Sequence, residues 1–316
     1  MILVTGAAGL NGSAVVRQFS RNGVGVRALV RDRSKAVAIA DLPYVELVEG
    51  DMARTETLDR VLGGIDRALM ISSPNLQMLE TQCRFVDACK TAGVAHVVKF
   101  SGKESSIGFD ATKFLFTRMH QEIERYLEAS GLPWTHLRPC QFMQVYLSEA
   151  PIVAAKGLLL LPLVDVRLSP VDVEDIAKIA FALLTQGGHQ GRTFEITGPQ
   201  ALSMAEVAVT IGEATGKPVR YQKTSIEEHR RGMEAVGLPP FLVDALIEEA
   251  LERLRHPQSR VDLGTHELFG VKPTTFAEFA RRHAAVFGGT TKSPGREAGS
   301  DRPHGAATTP RRAPMI

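Results

Sequence analysis

A glycine-rich turn, Gly6-Ala7-Ala8-Gly9-Leu10-Asn11-Gly12, begins only six residues into the chain. It follows the apolar run Ile2–Thr5 and precedes Gly12–Arg21, whose apolar residues recur with helical spacing. A turn of this kind between a strand and a helix brings the pyrophosphate of a dinucleotide to backbone N–H groups at the helix N-terminus. The position of the turn therefore predicts a dinucleotide-binding site. The alternative is an ordinary strand–helix turn that holds no ligand.

Short β-branched runs alternate with amphipathic segments through the first half of the chain. The predicted strands are Ile2–Thr5, Val24–Val30, Val45–Glu49, Arg67–Ile71, His96–Ser101 and Trp134–Arg138. The helices predicted between them are Gly12–Arg21, Ser34–Ala40, Thr55–Leu62, Leu76–Ala92 and Thr112–Ala129. Strands that alternate with helices imply right-handed crossovers, so we expect an α/β fold with a doubly wound parallel Rossmann sheet.

The alternation loosens after Pro139 and indicates a smaller C-terminal α/β lobe. Further strands are predicted at Val164–Ser169 and Thr193–Ile196, and helices at Val173–Leu184, Ser203–Thr215, residues 225–256 and Phe276–Phe287. We expect residues 1–150 to form mainly the dinucleotide-binding domain and 151–287 a substrate lobe with returning sheet elements. Residues 288–316 contain almost no large apolar side chain and are expected to be a disordered tail.

The end of the second strand bears on the choice of cofactor. NAD-specific sites place an acidic residue about twenty residues past the glycines, where it binds the ribose 2′-hydroxyl. Arg31 stands there, nineteen residues after Gly12, and Asp32 should point away. Arg31 can bind a 2′-phosphate through two hydrogen bonds, with Lys35 as a second charge. We therefore expect NADPH, with NADH less favoured; the alternative is a solvated basic strand end.

Other candidate residues follow the later strands, at the edge of the sheet where ligands of such folds bind. Asp51 and Met52 would lie beside the adenine, although Asp51 alternatively caps the next helix. Ser72 and Ser73 would line the middle of the cofactor, and Ser101 and Lys103 the nicotinamide; both segments are otherwise polar loops. Cys140, Gln141 and Phe142 follow the sixth strand and are candidates for the substrate pocket.

Several of these stretches together resemble the NmrA-like branch of the atypical short-chain dehydrogenases/reductases. They are residues 2–36, the EGDM motif, and the runs IERYLEASGLPWTHLRP, SPVDVEDIAKIA and FEITGPQALSMAEVAVTIGEATGKPVRY. The likeness extends over roughly residues 1–287 and implies a nicotinamide cofactor. Members include quinone oxidoreductases, azo-dye reductases, isoflavone and pinoresinol reductases, and regulators that bind the dinucleotide without chemistry.

The chain departs from the usual short-chain pattern at the proton donor. Typical members use Tyr-x-x-x-Lys, in which the lysine lowers the pKa of the phenol. No tyrosine of this chain has a lysine four residues later. The likeness to isoflavone reductases around Glu128 aligns His120 with their catalytic lysine, and Phe116 with the usual tyrosine. His120 is thus a candidate for holding the nicotinamide ribose or for protonating a reduced product; the alternative is a packing residue.

Composition removes several other classes of function. Lysine and arginine number 37 against 35 acidic residues, so nucleic acid and anionic membranes are not expected as partners. The three cysteines cannot all pair, the histidines lack metal-ligand spacing, and no leader or membrane-spanning stretch is evident. We therefore expect a cytoplasmic protein, with a homodimer left open and no metal.

The leading hypothesis is an NADPH-dependent reductase that transfers hydride to a planar acceptor such as a quinone, azo compound or enone. The alternative is a non-catalytic, NADP(H)-binding redox sensor, which the missing Tyr-x-x-x-Lys favours. A sugar-nucleotide epimerase is disfavoured because that chemistry generally relies on the absent tyrosine.

Overall fold

The computed structural model describes residues 1–102, 109–110 and 112–290. Its strands are β1 (Ile2–Val4), β2 (Val26–Val30), β3 (Val45–Glu49), β4 (Arg67–Met70), β5 (His96–Phe100), β6 (Trp134–Pro139), β7 (Leu158–Leu161), β8 (Arg167–Leu168), β9 (Arg192–Ile196), β10 (Leu202–Ser203) and β11 (Arg220–Lys223). Its α-helices are α1 (Leu10–Arg21), α2 (Thr55–Leu62), α3 (Met78–Thr91), α4 (Leu115–Ala129), α5 (Ala150–Lys156), α6 (Val173–Gln186), α7 (Met204–Thr215), α8 (Ile226–Ala235), α9 (Pro240–Arg255), α10 (Gly264–Leu268), α11 (Phe276–Arg282) and α12 (Ala284–Phe287).

The central sheet has seven parallel strands in the order β3-β2-β1-β4-β5-β6-β9. The strand order reverses between β1 and β4, which are direct neighbours. In doubly wound sheets the ligand crevice opens outside the carboxyl ends of the strands at this reversal. The predicted Rossmann sheet is confirmed, and the glycine turn after β1 lies at its switch point.

Four predicted elements differ from the structure. The helical segment predicted at 225–256 forms two helices, α8 and α9, and Pro239 is the N-cap residue of the second. Ser34–Ala40 is not an α-helix: only a 3₁₀ turn, Arg33–Lys35, forms, because the Asp32 carboxylate accepts from the Ser34 N–H and favours a turn. Only Arg167–Leu168 of the strand predicted at 164–169 pairs, since Asp165 has a left-handed φ of 56°. The last helix is divided at His283 into α11 and α12.

The core is divided by the sheet into two layers, with a third cluster in the lobe. On one face the strands pack against α2, α3 and α4, and residues of α8 and α9 extend this layer. On the other face they pack against α1 and α6. The third cluster joins α5, α7, α11 and α12 to β7. The elements α6 and β9, although they follow residue 150, therefore return to the central sheet.

Side chains alternate across β5, and this places one charged residue inside the protein. Val98 and Phe100 pack on the side of α1 and α6, whereas Val97 belongs to the layer of α3 and α4. Lys99 shares the face of Val97 and is fully buried. The sheet thus carries a lysine toward α3 and α4, just before the strand ends.

The first residues of the predicted tail bond back to the last helix: the Thr290 N–H donates to the Ala285 carbonyl at 2.9 Å. Residues 291–316 lie outside the described part of the chain, so the tail prediction is not tested for them. No helix within the described ranges is long and apolar enough to cross a membrane.

Candidate active site

The three glycines of the turn have different structural roles. Gly6 has a left-handed φ of +59°, and a Cβ there would lie 2.9 Å from the Ile71 carbonyl oxygen. A Cβ on Gly12 would lie 2.3 Å from the Gly6 carbonyl oxygen, so Gly12 lets α1 pack on the turn. A Cβ on Gly9 would meet only that carbonyl oxygen, at 3.3 Å. Gly9 is therefore the glycine whose missing side chain leaves room for a ligand.

The start of α1 is suited to an anion. Gly9 is its N-cap residue and provides no side-chain cap, so the first N–H groups of the helix are available to a ligand. Ala7 is fully buried, whereas Ala8 and Leu10 are exposed along the turn. The Oδ1 atom of Asn11 is buried and has no hydrogen-bond partner among the described residues. The available helix N–H groups would fit a bound phosphate-containing group at this turn.

Arg31 is the cation that remains available after β2. It is exposed and forms no ion pair or side-chain hydrogen bond within the described residues. Arg33 is held by the Leu47 carbonyl at 2.8 Å, and Lys35 lies 4.0 Å from the Asp32 carboxylate. The Asp32 carboxylate accepts from the backbone N–H and from the hydroxyl of Ser34. These two hydrogen bonds engage the carboxylate that could otherwise bind a ribose hydroxyl.

Asp51 and Met52 follow β3. The Asp51 carboxylate accepts from the Ala53 N–H at 2.9 Å and so stabilises its own turn; the N-cap of α2 is Arg54 instead. Met52 is buried in the layer formed with α2 and α3. Their contact with an adenine stays a prediction.

Three serines follow β4 and β5. Ser72 accepts from Gln82 Nε2 at 2.8 Å, and Ser73 is exposed. Ser101 is buried, and its N–H donates to the Leu137 carbonyl at 2.7 Å. Ser72 and Ser101 end neighbouring strands and therefore share one edge of the sheet. Lys103 lies outside the described residues.

His120 lies on α4, half-buried, with its Nδ1 atom 3.0 Å from the Nζ atom of Lys99. Lys99 also donates to Gln82 Oε1 at 3.0 Å and to the Phe100 carbonyl at 3.2 Å. Burial and the positive charges of Lys99 and Arg138 hold the pKa of His120 well below its usual value. His120 is therefore neutral near pH 7. Among the described residues its Nε2 atom has no hydrogen-bond partner.

Lys99 and Gln82 were not among the predicted site residues. A signal was present, since a lysine interrupts the apolar strand HVVKF, and a charge in a buried strand needs a partner. The sequence did not indicate which partner, because Gln82 and His120 lie 17 and 21 residues away. Both come from helices on the same side of β5.

A buried ion pair lies beside this network. Arg138 on β6 donates to both carboxylate oxygens of Glu124, from Nε at 3.0 Å and from Nη2 at 2.5 Å. Burial, the largest single influence, would raise the pKa of Glu124, but hydrogen bonds from Arg138 and Ser101, together with the positive charges of Arg138 and His136, outweigh it and the pKa is lowered. The pair fixes α4, and with it His120, against the sheet.

The N-terminal end of α4 is held by α9. The Asp110 N–H donates to Glu252 Oε2 at 2.9 Å, and the Leu115 N–H donates to Glu248 Oε2 at 3.3 Å. Phe116, at the position of the usual tyrosine, is buried with its ring 6.1 Å from that of Phe114. The lobe thus contributes to the placement of the helix that carries His120.

The predicted pocket residues after β6 are divided between core and cleft. The Cys140 thiol is buried, 3.8 Å from the hydroxyls of both Ser169 and Ser259, which favours a packing role. Gln141 Oε1 is buried without a partner in the described part of the chain. Phe142 is partly exposed, and its ring centroid lies 6.2 Å from that of Phe100. The two rings lie in the layer formed with α1 and α6, near the end of β5.

Residues 1–280 match the model of the NmrA-like family. The chain belongs to this family. It is 35% identical over 290 residues to an NAD(P)H azoreductase from Xenophilus azovorans, covering 91% of this chain and 99% of that protein. It is 31% identical over 287 residues to a (4-alkanoyl-5-oxo-2,5-dihydrofuran-3-yl)methyl phosphate reductase from Streptomyces griseus, covering 91% and 99%.

A solved structure of similar fold is that of an NADPH-dependent quinone oxidoreductase from Escherichia coli, complexed with NADPH. The TM-score is 0.79 at 26% sequence identity, and the match covers 89% of this chain and 99% of that one. The family resemblance found in the sequence is thus confirmed. No group of acidic, histidine or cysteine side chains in the described ranges is arranged to hold a metal.

Proposed function

We propose that this protein is an NADPH-dependent oxidoreductase that reduces small planar electrophiles such as quinones, azo compounds or enones. Two relatives that match almost end to end are named as reductases of an azo compound and of an oxo-dihydrofuran. The similar solved structure is that of a quinone reductase with NADPH. All three names denote reduction at a conjugated system.

The cofactor would bind across the switch point of the sheet. Backbone N–H groups at the start of α1 would hold the pyrophosphate, with Gly9 allowing the close approach. Arg31, free of other partners in the described part of the chain, would bind the 2′-phosphate. When bound, NADPH supplies the hydride, and the protein orients the acceptor and supplies the proton.

His120 is the observation that favours an enzyme over a sensor. Its Nδ1 atom is fixed by Lys99, while Nε2 has no partner among the described residues. A protein that only binds the dinucleotide has no need of a titratable pair at the carboxyl end of β5. Such a pair can protonate a reduced product without the tyrosine that the chain lacks.

The test is NADPH oxidation with a panel of quinones, azo dyes and conjugated enones, with the reduced products identified. We expect turnover with at least one class and tighter binding of NADPH than of NADH. Tight NADPH binding without turnover on any acceptor would instead identify the protein as a redox sensor.

The His120→Ala variant separates the two possibilities at the residue level. A positioned proton donor contributes about 10²–10⁴-fold to turnover, so the variant should lose activity on that scale and still bind NADPH. The control is His283→Ala, between α11 and α12 and outside the candidate site. A His120→Ala enzyme with wild-type turnover would remove this histidine from the mechanism.

A further inference from the structure

We propose that Lys99 is the proton source of the reduction and that His120 passes its proton to the reduced substrate. This inference rests on the reductase function proposed above. It starts from a count of hydrogen bonds around Lys99 Nζ. An ammonium group has three donors, and the structure provides three acceptors: Gln82 Oε1, the Phe100 carbonyl and His120 Nδ1.

This arrangement fixes the tautomer of His120. As long as Lys99 is charged, Nδ1 of His120 must accept, so the single ring proton lies on Nε2. The orientation of the Gln82 amide is fixed because its Nε2 atom donates to Ser72 Oγ at 2.8 Å. Its Oε1 atom therefore faces the lysine and accepts from Nζ. His120 therefore presents an N–H donor on the side where no described residue binds it.

A neutral imidazole is too weak an acid to protonate a product by itself, but the pair avoids this difficulty. When Nε2 gives its proton to the reduced substrate, Nζ gives a proton to Nδ1. Lys99 ends as a neutral amine, whose two N–H groups still donate to Gln82 and Phe100 while its lone pair accepts from Nδ1. Every group keeps a partner before and after the transfer.

The reaction balances with one hydride and this one proton. A quinone gains a hydride from NADPH and a proton from His120 and becomes a hydroquinone; an azo compound becomes a hydrazine in the same way. The proton lost by Lys99 returns from solvent along the reverse path, since the lysine itself is fully buried.

The acidity of Lys99 suits this role. Burial lowers the pKa of Lys99 to about 7, with Glu124 and Cys83 raising it and Arg138 lowering it further. These groups face the lysine from α4, α3 and β6, and His136 of β6 also interacts with its charge. A proton donor works best with a pKa near the working pH, so the buried lysine can both give and regain its proton.

The Lys99→Met variant tests the relay, with Lys90→Met on the exposed face of α3 as its control. We expect a loss of about 10²–10⁴-fold in turnover with a quinone or azo compound and unchanged NADPH affinity. A triarylmethyl cation needs only hydride to give its neutral product, so its reduction should survive in Lys99→Met. Equal losses on both kinds of acceptor would show a merely structural lysine and overturn the proposal.

A second measurement does not depend on activity. In ¹⁵N NMR of the wild-type protein, His120 should be protonated at Nε2 below the pKa of Lys99 and at Nδ1 above it, with the change near pH 7. Lys90→Met should retain this change and Lys99→Met should lose it. A His120 tautomer that does not respond to pH would overturn the relay, even if no acceptor were found for the wild-type enzyme.

Discussion

A Cβ atom on Gly12 would lie 2.3 Å from the carbonyl oxygen of Gly6, whereas one on Gly9 would approach that oxygen only to 3.3 Å. The two substitutions by alanine should therefore have different effects. Gly12→Ala should lower the stability by about 1–3 kcal/mol or more, because backbone must move to relieve the overlap. Gly9→Ala should lower the melting temperature less than Gly12→Ala does, because its methyl group would meet only one atom, at 3.3 Å. It should weaken NADPH binding, since the methyl group occupies the ligand side of the turn.

Thermal unfolding and NADPH titration of both variants check this difference. Gly12→Ala serves as the structural comparison for Gly9→Ala. If Gly9→Ala bound NADPH as tightly as the wild type, the pyrophosphate would not approach this turn and the cofactor site would have to be placed elsewhere.

Arg31 should determine the preference for NADPH. A charge-assisted hydrogen bond contributes about 1.5–3 kcal/mol, so NADPH should bind about ten- to a hundredfold more tightly than NADH. Arg31→Asp should reverse the order, because a carboxylate repels the 2′-phosphate and accepts from the ribose hydroxyl. Dissociation constants of both cofactors, measured by fluorescence titration, give the result.

Arg33→Gln is the matched control for Arg31→Gln. Arg33 is two residues away, but its guanidinium is already bound to the Leu47 carbonyl. The NADPH:NADH ratio should fall in Arg31→Gln and stay near the wild-type value in Arg33→Gln. Equal ratios in the wild type and Arg31→Gln would contradict a 2′-phosphate site at Arg31.

The fold could be predicted from the sequence because most central strands are short apolar runs rich in β-branched residues and most of the flanking helices keep helical periodicity. The exceptions have local causes. Asp32 binds its own neighbour Ser34 and replaces a helix by a 3₁₀ turn, and Asp165 interrupts a strand by its left-handed backbone. Each effect depends on one polar side chain or one dihedral angle, and the spacing of apolar residues along the sequence does not reveal either of them.

The candidate site was predicted only in part, for a different reason. His120 was found through its alignment with a catalytic lysine, and the glycine turn through its own spacing. Lys99 was missed because its role depends on contacts with Gln82 and His120 from two separate helices. The packing of helices on one face of a sheet brings such residues together, and a single sequence does not state which ones meet.

His96 should make the stability depend on pH in the acidic range. It is buried at the start of β5, with Nε2 2.9 Å from the hydroxyl of Thr135 on β6, whose own proton goes to the His189 carbonyl. Burial, aided by Arg67, lowers the pKa of His96 to about 4 from the ordinary 6.5. Below pH 6.5 the unfolded chain therefore binds a proton that the folded one does not, and stability falls as the pH drops toward 4.

A shift of this size corresponds to about 3 kcal/mol over that range. Urea unfolding at several pH values should show the loss in the wild type and a smaller one in His96→Gln. His256→Gln, at a partly exposed histidine of the lobe, should follow the wild type. Parallel pH curves for His96→Gln and the wild type would mean that this histidine is not the group that titrates.

Glu124 and Arg138 provide the last prediction, because only 4% of the glutamate side chain is exposed while both of its oxygens accept from the arginine. Arg138→Met leaves a buried carboxylate without its partner and should cost about 3–5 kcal/mol. The pKa of Glu124 is lowered in the native protein, so the pair stabilises the fold above the ordinary carboxyl pKa and less so in acid. The loss in Arg138→Met should accordingly be larger at neutral pH than near pH 4, where the unpaired carboxyl takes up a proton.

The double variant Glu124→Gln/Arg138→Met should regain part of the lost stability, because Glu124→Gln removes the buried charge. Denaturant unfolding of the wild type and the two variants measures these differences, and a double variant less stable than Arg138→Met would show that the charge was never the source of the loss.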